Sequence, residues 1–375
     1  MKAQILAASK MVLVTFLFSA IIMILMEKVA VHIGAVDVPR NDEGNRHIHK
    51  KTTPKLGGVG IFLAFLFGYM LFGEQSIRMN SILIGSFIII LTGIVDDLKP
   101  IKAYQKLLGH IAAALVITFY GGICLDNITA FGFYFDFGIL KYPLTIFFII
   151  ACTNIINLID GLDGLSGGIC SIFYLTIGII GFFQGRYGSL VMILTFIMLG
   201  STLGFLLHNF YPAKIFAGDC ATFMGFIISV ITLLEFKGPA LISFFVPVTI
   251  LGIPILDTLF AIIRRLLRKQ PPFQADKEHL HHQLLGMNFS QKTTVLIIYG
   301  IDMLFAAASI LYTLKDPIAG KIVYIIILIL VLWFVFHTTI ISDKSPQITR
   351  KIESKLGLTN KTKTKKKKDT KESTK

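Results

Sequence analysis

The sequence predicts an all-α polytopic integral membrane protein, and three observations carry that expectation. Hydrophobic residues make up 54% and charged residues 15% of the chain, with a mean hydropathy of +0.73, whereas soluble globular proteins carry about 25% charged residues. Apolar runs recur along almost the whole length, and a hydrocarbon core about 30 Å thick needs roughly 20 apolar helical residues per crossing. Lys and Arg also concentrate in alternate loops, the mark of cytoplasmic retention. Thirty-two Phe and a single Trp add lipid-compatible bulk with few polar handles.

Eleven runs qualify as spans. They centre on residues 11–32, 56–72, 80–95, 107–122, 142–158, 165–183, 189–207, 220–234, 240–263, 294–313 and 321–341. The first is long enough to span and lacks a small-residue cleavage site, so no cleavable signal peptide is expected. The eighth is short and the ninth long. Pro247, Gly252 and Pro254 should bend or break the ninth, because proline removes a backbone donor and its ring clashes with the preceding turn.

Loop charge orients these spans. The loops 34–55, 96–106, 159–164, 208–219 and 264–293, together with the tail, carry 27 Lys and Arg, against 8 on the opposite side. The amino terminus is therefore expected outside and the carboxyl terminus in the cytoplasm. Residues 1–341 read as one membrane domain and 342–375 as a Lys-rich cytoplasmic tail. Twelve of the cations lie from Lys344 onward, including the run Lys365–Lys368. Such a segment, without aromatics, reads as solvated and disordered, or as weakly attracted to anionic lipid head groups. It has no base-stacking pattern, so the excess of positive charge does not indicate nucleic-acid binding. Cys124, Cys152, Cys170 and Cys220 are too scattered for a metal or disulfide framework and read as small packing residues.

Polar residues at span ends ask for an explanation, and four clusters fall on the expected cytoplasmic side. Asp96-Asp97 closes the third span, followed by Lys99, Lys102 and Lys106. Solvation of a helix end would explain it; so would a carboxylate pair binding a cation, with Lys106 set to meet an anion. Asn154, Asn157 and Asp160 then recur every three residues and share one broad face as the fifth span ends. Asp160 and Asp163 are interleaved with Gly161, Gly164, Gly167 and Gly168, which permit a tight turn and close approach to an anion. Helix packing alone would explain the Asn and Gly residues, but not two carboxylates among them. Phe216-Ala-Gly-Asp219 opens the eighth span, where Asp219 could merely cap a helix. The loop after the ninth span carries Arg264, Arg265, Arg268 and Lys269, then His279, His281 and His282. Histidines so spaced could suit zinc, but no cysteine or further ligand completes a set; beside Arg and Lys they more naturally hold phosphates. A fifth cationic segment, Pro39-Arg40 and His47 to Gly58, lies between the first two spans.

Carboxylate and amide oxygens, a glycine-rich turn and many cations on one face match a magnesium site that reads a pyrophosphate. Its place at a membrane surface suggests one soluble and one lipid substrate, such as a nucleotide sugar attacked by a phosphorylated lipid.

In order, Asp96-Asp97, the Asn154–Gly168 block, Ala217-Gly-Asp219 and His279-Leu-His-His282 resemble the motifs of the polyprenyl-phosphate N-acetylhexosamine-1-phosphate transferases. The likeness covers about 37–300 and is greatest for the TagO/WecA type, the branch with eleven spans that starts teichoic acids and surface polysaccharides. The sister branch, which transfers phospho-MurNAc-pentapeptide in peptidoglycan synthesis, has ten spans and typically a run of three histidines.

The resemblance implies transfer of GlcNAc-1-phosphate from UDP-GlcNAc to undecaprenyl phosphate in the bacterial cytoplasmic membrane, releasing UMP. It implies Mg2+, with Mn2+ as a substitute, held by Asp219 and Asn157 with Asp160 and Asp163 in or near that shell. It further implies that Lys106 holds the lipid phosphate, that Phe216 stacks on uracil, and that Asn154, His279, His281 and His282 meet the nucleotide sugar. Asp96 or Asp97 would supply a base, although a phosphate monoester is already anionic at pH 7, which favours positioning and electrostatics. A homodimer is compatible with the sequence. Gln283 departs from the Arg that often follows the His-His pair, which bears on donor preference, and Thr53 stands where a proline is common. An ion-coupled secondary transporter is the rival from another class, but transporters place acids near the midplane, with repeat symmetry. Here only Asp302 lies well inside a span, Asp257 sits near the inner end of the ninth, and no repeat is evident.

Overall fold

The computed structural model describes residues 2–38, 52–130, 133–235, 251–267, 269, 280–314 and 317–337. Helices α1 (Lys2–Ile33), α2 (Gly57–Phe72), α3 (Ile77–Leu98) and α4 (Ala103–Leu115) come first, α4 running on through a π-helical turn, Val116–Tyr120. Then follow α5 (Lys141–Ile159), α6 (Leu165–Phe183), α7 (Leu190–Asn209), α8 (Thr222–Glu235) and α9 (Gly252–Leu267). A short α10 (Leu280–Gly286) precedes α11 (Gln291–Leu314) and α12 (Pro317–His337). Each of the expected apolar runs holds a helix. Among the described residues, 7 helices are long and apolar enough to cross a membrane, and Gly57–Phe72 and Ile318–Trp333 are shorter apolar ones. The chain is thus a mostly helical, polytopic membrane protein. Of the residues expected to bend or break the ninth span, Gly252 and Pro254 lie in the first turn of α9; Pro247, the histidine His279 and the Lys-rich tail lie outside the described residues.

The chain is not exclusively helical. Strands β1 (Val36–Asp37) and β2 (Thr53–Pro54) pair antiparallel, as do β3 (Asn127–Ala130) and β4 (Phe133–Asp136). Both pairs lie between apolar runs, where β-branched and aromatic residues can satisfy their backbone groups across a ladder.

Small residues allow the helices to approach, as expected where apolar burial alone gives little preference for protein over lipid. Gly200 and Gly204 on α7 face Thr15 and Ser19 on α1: an added Cβ would stand 2.0 Å from Thr15 Oγ1 and 2.5 Å from Ser19 Cβ, respectively. Ser19 donates to the Ser201 carbonyl across that seam at 2.7 Å. Helix α8 is the centre. Every residue from Thr222 to Leu233 is buried, and α8 packs against α2, α3, α5, α6 and α7. A helix apolar on all sides belongs there. The four cysteines are free and buried, as packing residues should be.

The polar ends of these helices meet at one end of the bundle. The last turn of α3, the first of α4, the end of α5, the start of α6, the loop before α8 and α10 all contribute residues to the same place, described next.

Candidate active site

Asp96 and Asp97 lie in the last turn of α3, which extends past the expected end of the span to Leu98. Asp96 is buried, and its Oδ1 accepts a hydrogen bond from the Ile101 N–H at 2.7 Å, fixing the turn into α4. Its other oxygen pairs with Lys106 Nζ. Lys106 reaches on to Asp219 Oδ1 at 2.8 Å, and Asn157 Nδ2 donates to that same oxygen at 3.4 Å. Asp97 completes the ring by accepting the Asp219 N–H on both carboxylate oxygens, at 3.1 and 3.0 Å. Directly bonded residues as far as 122 positions apart thus meet in one hydrogen-bonded cluster.

The turn ahead of Asp219 explains how it reaches that place. Phe216 N–H donates to the Pro54 carbonyl at 2.8 Å, and the Phe216 and Ala217 carbonyls accept from Gly57 and Gly58 at 2.8 and 3.0 Å. Gly218 follows with φ of +70°, and an added Cβ would lie 2.4 Å from both Asp97 Oδ2 and the Lys55 carbonyl. Only glycine fits there. A 3-10 turn, Gly218–Ala221, then leads into α8.

The glycine-interleaved block forms a turn stitched to its neighbours. Asp160 ends α5 and accepts a hydrogen bond from Ser166 Oγ. Burial pushes the Asp160 carboxyl up to about 6, the nearby charges of Asp219 and Asp163 add to the rise, and the Ser166 bond opposes it. Asp163 is buried and its Oδ2 accepts the Ala213 N–H at 2.9 Å, so this oxygen fastens the α7–α8 loop. Gly164, left-handed at φ of +82°, donates its N–H to Asn209 Oδ1 at 2.9 Å, and its carbonyl accepts the Tyr299 hydroxyl.

Asn154, one turn before Asn157, donates to the Ile150 carbonyl at 2.7 Å and lies 3.3 Å from His110 Nδ1. His281 is buried, and a Cβ on Gly161 would come within 3.0 Å of its Nε2. The His281 and His282 rings lie 4.3 Å apart. The structure therefore brings Asp96, Asp97, Lys106, Asn157 and Asp219 into direct contact. Asp160 and His281 line the adjoining turn, Asp163 and Asn154 support it from behind, and Phe216 lies on the loop leading in.

Three residues were missed by sequence reasoning. His110 follows Lys106 by one helical turn, a spacing that could have marked it. Ser166 sits inside the glycine-rich block. Lys55 acts electrostatically on Asp97 while pairing with Asp37 at 3.6 Å; it lay in the cationic segment but carried no individual signal.

The donor set suits a hard cation. Asp96 and Asp219 share the Lys106 ammonium, and Asp97 joins them through the Asp219 N–H, so oxygen donors outnumber the one cation in direct contact with them. Among the described residues no group of three or more His, Cys, Asp or Glu could hold a metal by itself. Magnesium does not ask for one: it keeps several waters and is bound by one or two carboxylates plus substrate phosphates. The residues fit an ion of that kind.

Residues 79–235, which contain most of this cluster, match Glycosyl transferase family 4. The chain is 38% identical over 345 residues to a protein of Bacillus subtilis named as a probable undecaprenyl-phosphate N-acetylglucosaminyl 1-phosphate transferase, covering 90% of this chain and 94% of the relative. It is 31% identical over 324 residues to a decaprenyl-phosphate N-acetylglucosaminephosphotransferase of Mycobacterium tuberculosis, covering 77% and 79%. It is 27% identical over 310 residues to the undecaprenyl-phosphate alpha-N-acetylglucosaminyl 1-phosphate transferase of Escherichia coli K12, covering 79% and 81%. With its ordered acidic motifs meeting in one cluster, the chain belongs to the polyprenyl-phosphate N-acetylhexosamine-1-phosphate transferase family and is a sugar-phosphate transferase.

Proposed function

We propose that the protein transfers GlcNAc-1-phosphate from UDP-GlcNAc to undecaprenyl phosphate. A lipid phosphate oxygen forms a bond to the sugar-bearing phosphorus, the bond from that phosphorus to the UMP oxygen breaks, and UMP leaves with the electron pair. The product is a lipid pyrophosphoryl sugar, the first intermediate of a teichoic acid or surface polysaccharide. The observation that carries this reading is the cluster in which Lys106 bridges Asp96 and Asp219 while Asn157 and Asp97 bond to Asp219. The names of the relatives support the acceptor and the sugar.

In this reading Asp219 and Asn157 hold Mg2+, with Mn2+ as a substitute, and Asp160 adjoins them. The ion, when bound, neutralises the pyrophosphate oxygens and polarises the reacting phosphorus. Lys106 holds the lipid phosphate and turns it toward the donor; Phe216 offers its ring to uracil; His281 and His282 meet the donor phosphates. Asp96 and Asp97 act by position, since a phosphate monoester is already anionic at pH 7 and the attack needs little proton removal. Asp96 orients Lys106, and Asp97 orients Asp219 through its backbone N–H. Eleven spans with the amino terminus outside would put this cluster at the cytoplasmic surface of the bacterial membrane, where a soluble UDP-sugar can reach it. The loop charge supports that orientation.

The test uses purified protein in detergent with undecaprenyl phosphate, Mg2+ and a panel of UDP-sugars, following UMP and labelled lipid together. UMP with lipid-linked GlcNAc is the expected result. Activity only with UDP-MurNAc-pentapeptide would move the protein to the sister branch, and well-folded protein without lipid product from any donor would overturn the reading. Asp219→Ala should abolish magnesium-dependent turnover while membrane insertion is kept; normal turnover would remove Asp219 from the metal site.

A further inference from the structure

Asp257 is an acid that the transfer reaction leaves without a task. It lies in α9, is 6% exposed, and its Oδ1 accepts the backbone N–H of Leu280 at 2.7 Å. The two residues are 23 positions apart, and the bond ties α9 to the beginning of α10. His281 follows Leu280 directly. It is buried at 3% exposure, with Nε2 3.0 Å from the place a Cβ on Gly161 would occupy. His282 leans on its ring at 4.3 Å between centroids. A chain of direct contacts therefore runs from Asp257 through Leu280 and His281 to the turn that carries Asp160.

Helix α10 has 7 residues. A helix so short has little stability of its own in isolation, and its first N–H groups have no partner within the helix. Its direction is accordingly set by what holds its ends. Helix α11 holds one side; Asp257 holds the first N–H with a carboxylate, and hydrogen bonds to a charged acceptor are roughly twice as strong as neutral ones.

We propose that Asp257 is a positioning residue for sugar-phosphate transfer: it clasps α9 to α10 and thereby sets His281 and His282 against the Gly161 turn at the donor's phosphates. The inference rests on the proposed transfer reaction for what the histidines meet. The clasp itself is a matter of geometry and has its own readout.

The test compares full-length wild type with Asp257→Ala and Asp257→Asn in detergent. Labelling of individual histidines by diethyl pyrocarbonate is followed by mass spectrometry, with His110 and His208 as internal references. Loss of the clasp should speed His281 labelling about tenfold in Asp257→Ala, leave both references unchanged, and give an intermediate rate in Asp257→Asn, which keeps a neutral acceptor. In turnover assays KM for UDP-GlcNAc should rise about 10-fold or more in Asp257→Ala, that for undecaprenyl phosphate should stay within about twofold, and Asp257→Asn should recover part of the loss.

Unchanged His281 labelling would overturn the clasp, as would a matching rise at His110 and His208, which signals general loosening. Faster His281 labelling with an unaltered donor KM would overturn the positioning role. Should Asp257→Ala fail to fold, Asp257→Asn carries the same comparison at smaller amplitude. If wild type transfers no sugar phosphate at all, the function reading has failed, while the labelling still decides whether the clasp exists.

Discussion

Lys106→Met should move two affinities in opposite directions. Lys106 Nζ lies 2.8 Å from Asp219 Oδ1 and pairs with Asp96, so it competes with any other cation for those carboxylates. At 2.8 Å and an effective dielectric near 20, the gross attraction to one carboxylate is roughly 6 kcal/mol. The side chains of Lys106 and Asp219 keep 29% and 28% of their exposure, so solvent screening reduces this to about 1–2 kcal/mol. Removing the ammonium frees the carboxylates for a competing cation, and the midpoint for Mg2+ should fall about 5- to 30-fold. The same change removes the cation proposed for the lipid phosphate, so KM for undecaprenyl phosphate should rise by a similar factor. The assay is UMP release titrated in Mg2+ and in lipid, with Mn2+ binding measured directly by electron paramagnetic resonance. An unchanged metal midpoint together with an unchanged lipid KM would refute the reasoning on both sides.

Three further outcomes are expected. Gly218→Ala should reduce turnover at least tenfold and lower the thermal midpoint, because it combines a left-handed backbone, costing about 1–2 kcal/mol, with a Cβ 2.4 Å from Asp97 Oδ2; near-normal activity would show that the Asp97–Asp219 contact is dispensable. The Asp160 carboxyl, raised to about 6 in the folded protein against 3.8 in an open chain, keeps a proton there that the unfolded chain releases. Metal-free protein should therefore gain stability as pH falls from above 6 toward 4, an increase of about 2–4 °C in thermal midpoint for each kcal/mol. Asp160→Asn should flatten that slope, and an identical slope would discard Asp160 as its source. Replacing Asn157 with Leu should weaken metal dependence by loss of its bond to Asp219; a wild-type Mg2+ titration would count against that role.

The fold was legible because lipid imposes a simple rule: each long apolar run had to be a helix, and α1 through α12, apart from short α10, fall where those runs predicted. The site was legible in part. Charges such as Asp96, Asp97, Lys106 and Asp219 stand out against an apolar background, so their order was visible before their meeting was. Partnerships between distant residues leave no such mark. Nothing in the chain says that Asp97 accepts the backbone N–H of Asp219, that Asp163 fastens Ala213, or that Asp257 reaches Leu280. Each depends on how helices dock. His110 was hidden for another reason: inside an apolar run, a single imidazole looks like an ordinary buried side chain until Asn154 is found beside it.

The order in which the cluster is made follows from how far apart its members lie. Asp219 comes 113 residues after Lys106, and at a synthesis rate of about 5–20 residues per second that interval lasts roughly 6–23 s. Throughout it, Asp96 and Lys106 can already neutralise one another within the α3–α4 hairpin, which lowers the cost of holding both charges at the membrane edge. Asp97 has Lys55 to act on it electrostatically from early on, but its hydrogen-bond donor, the Asp219 N–H, comes only with α8. The central helix is thus a keystone fitted late: its docking buries α8 and supplies the Asp219 backbone to Asp97 in one event. A nascent chain halted before residue 213 should insert its first helices yet leave Asp97 without the Asp219 N–H that holds it in the finished protein.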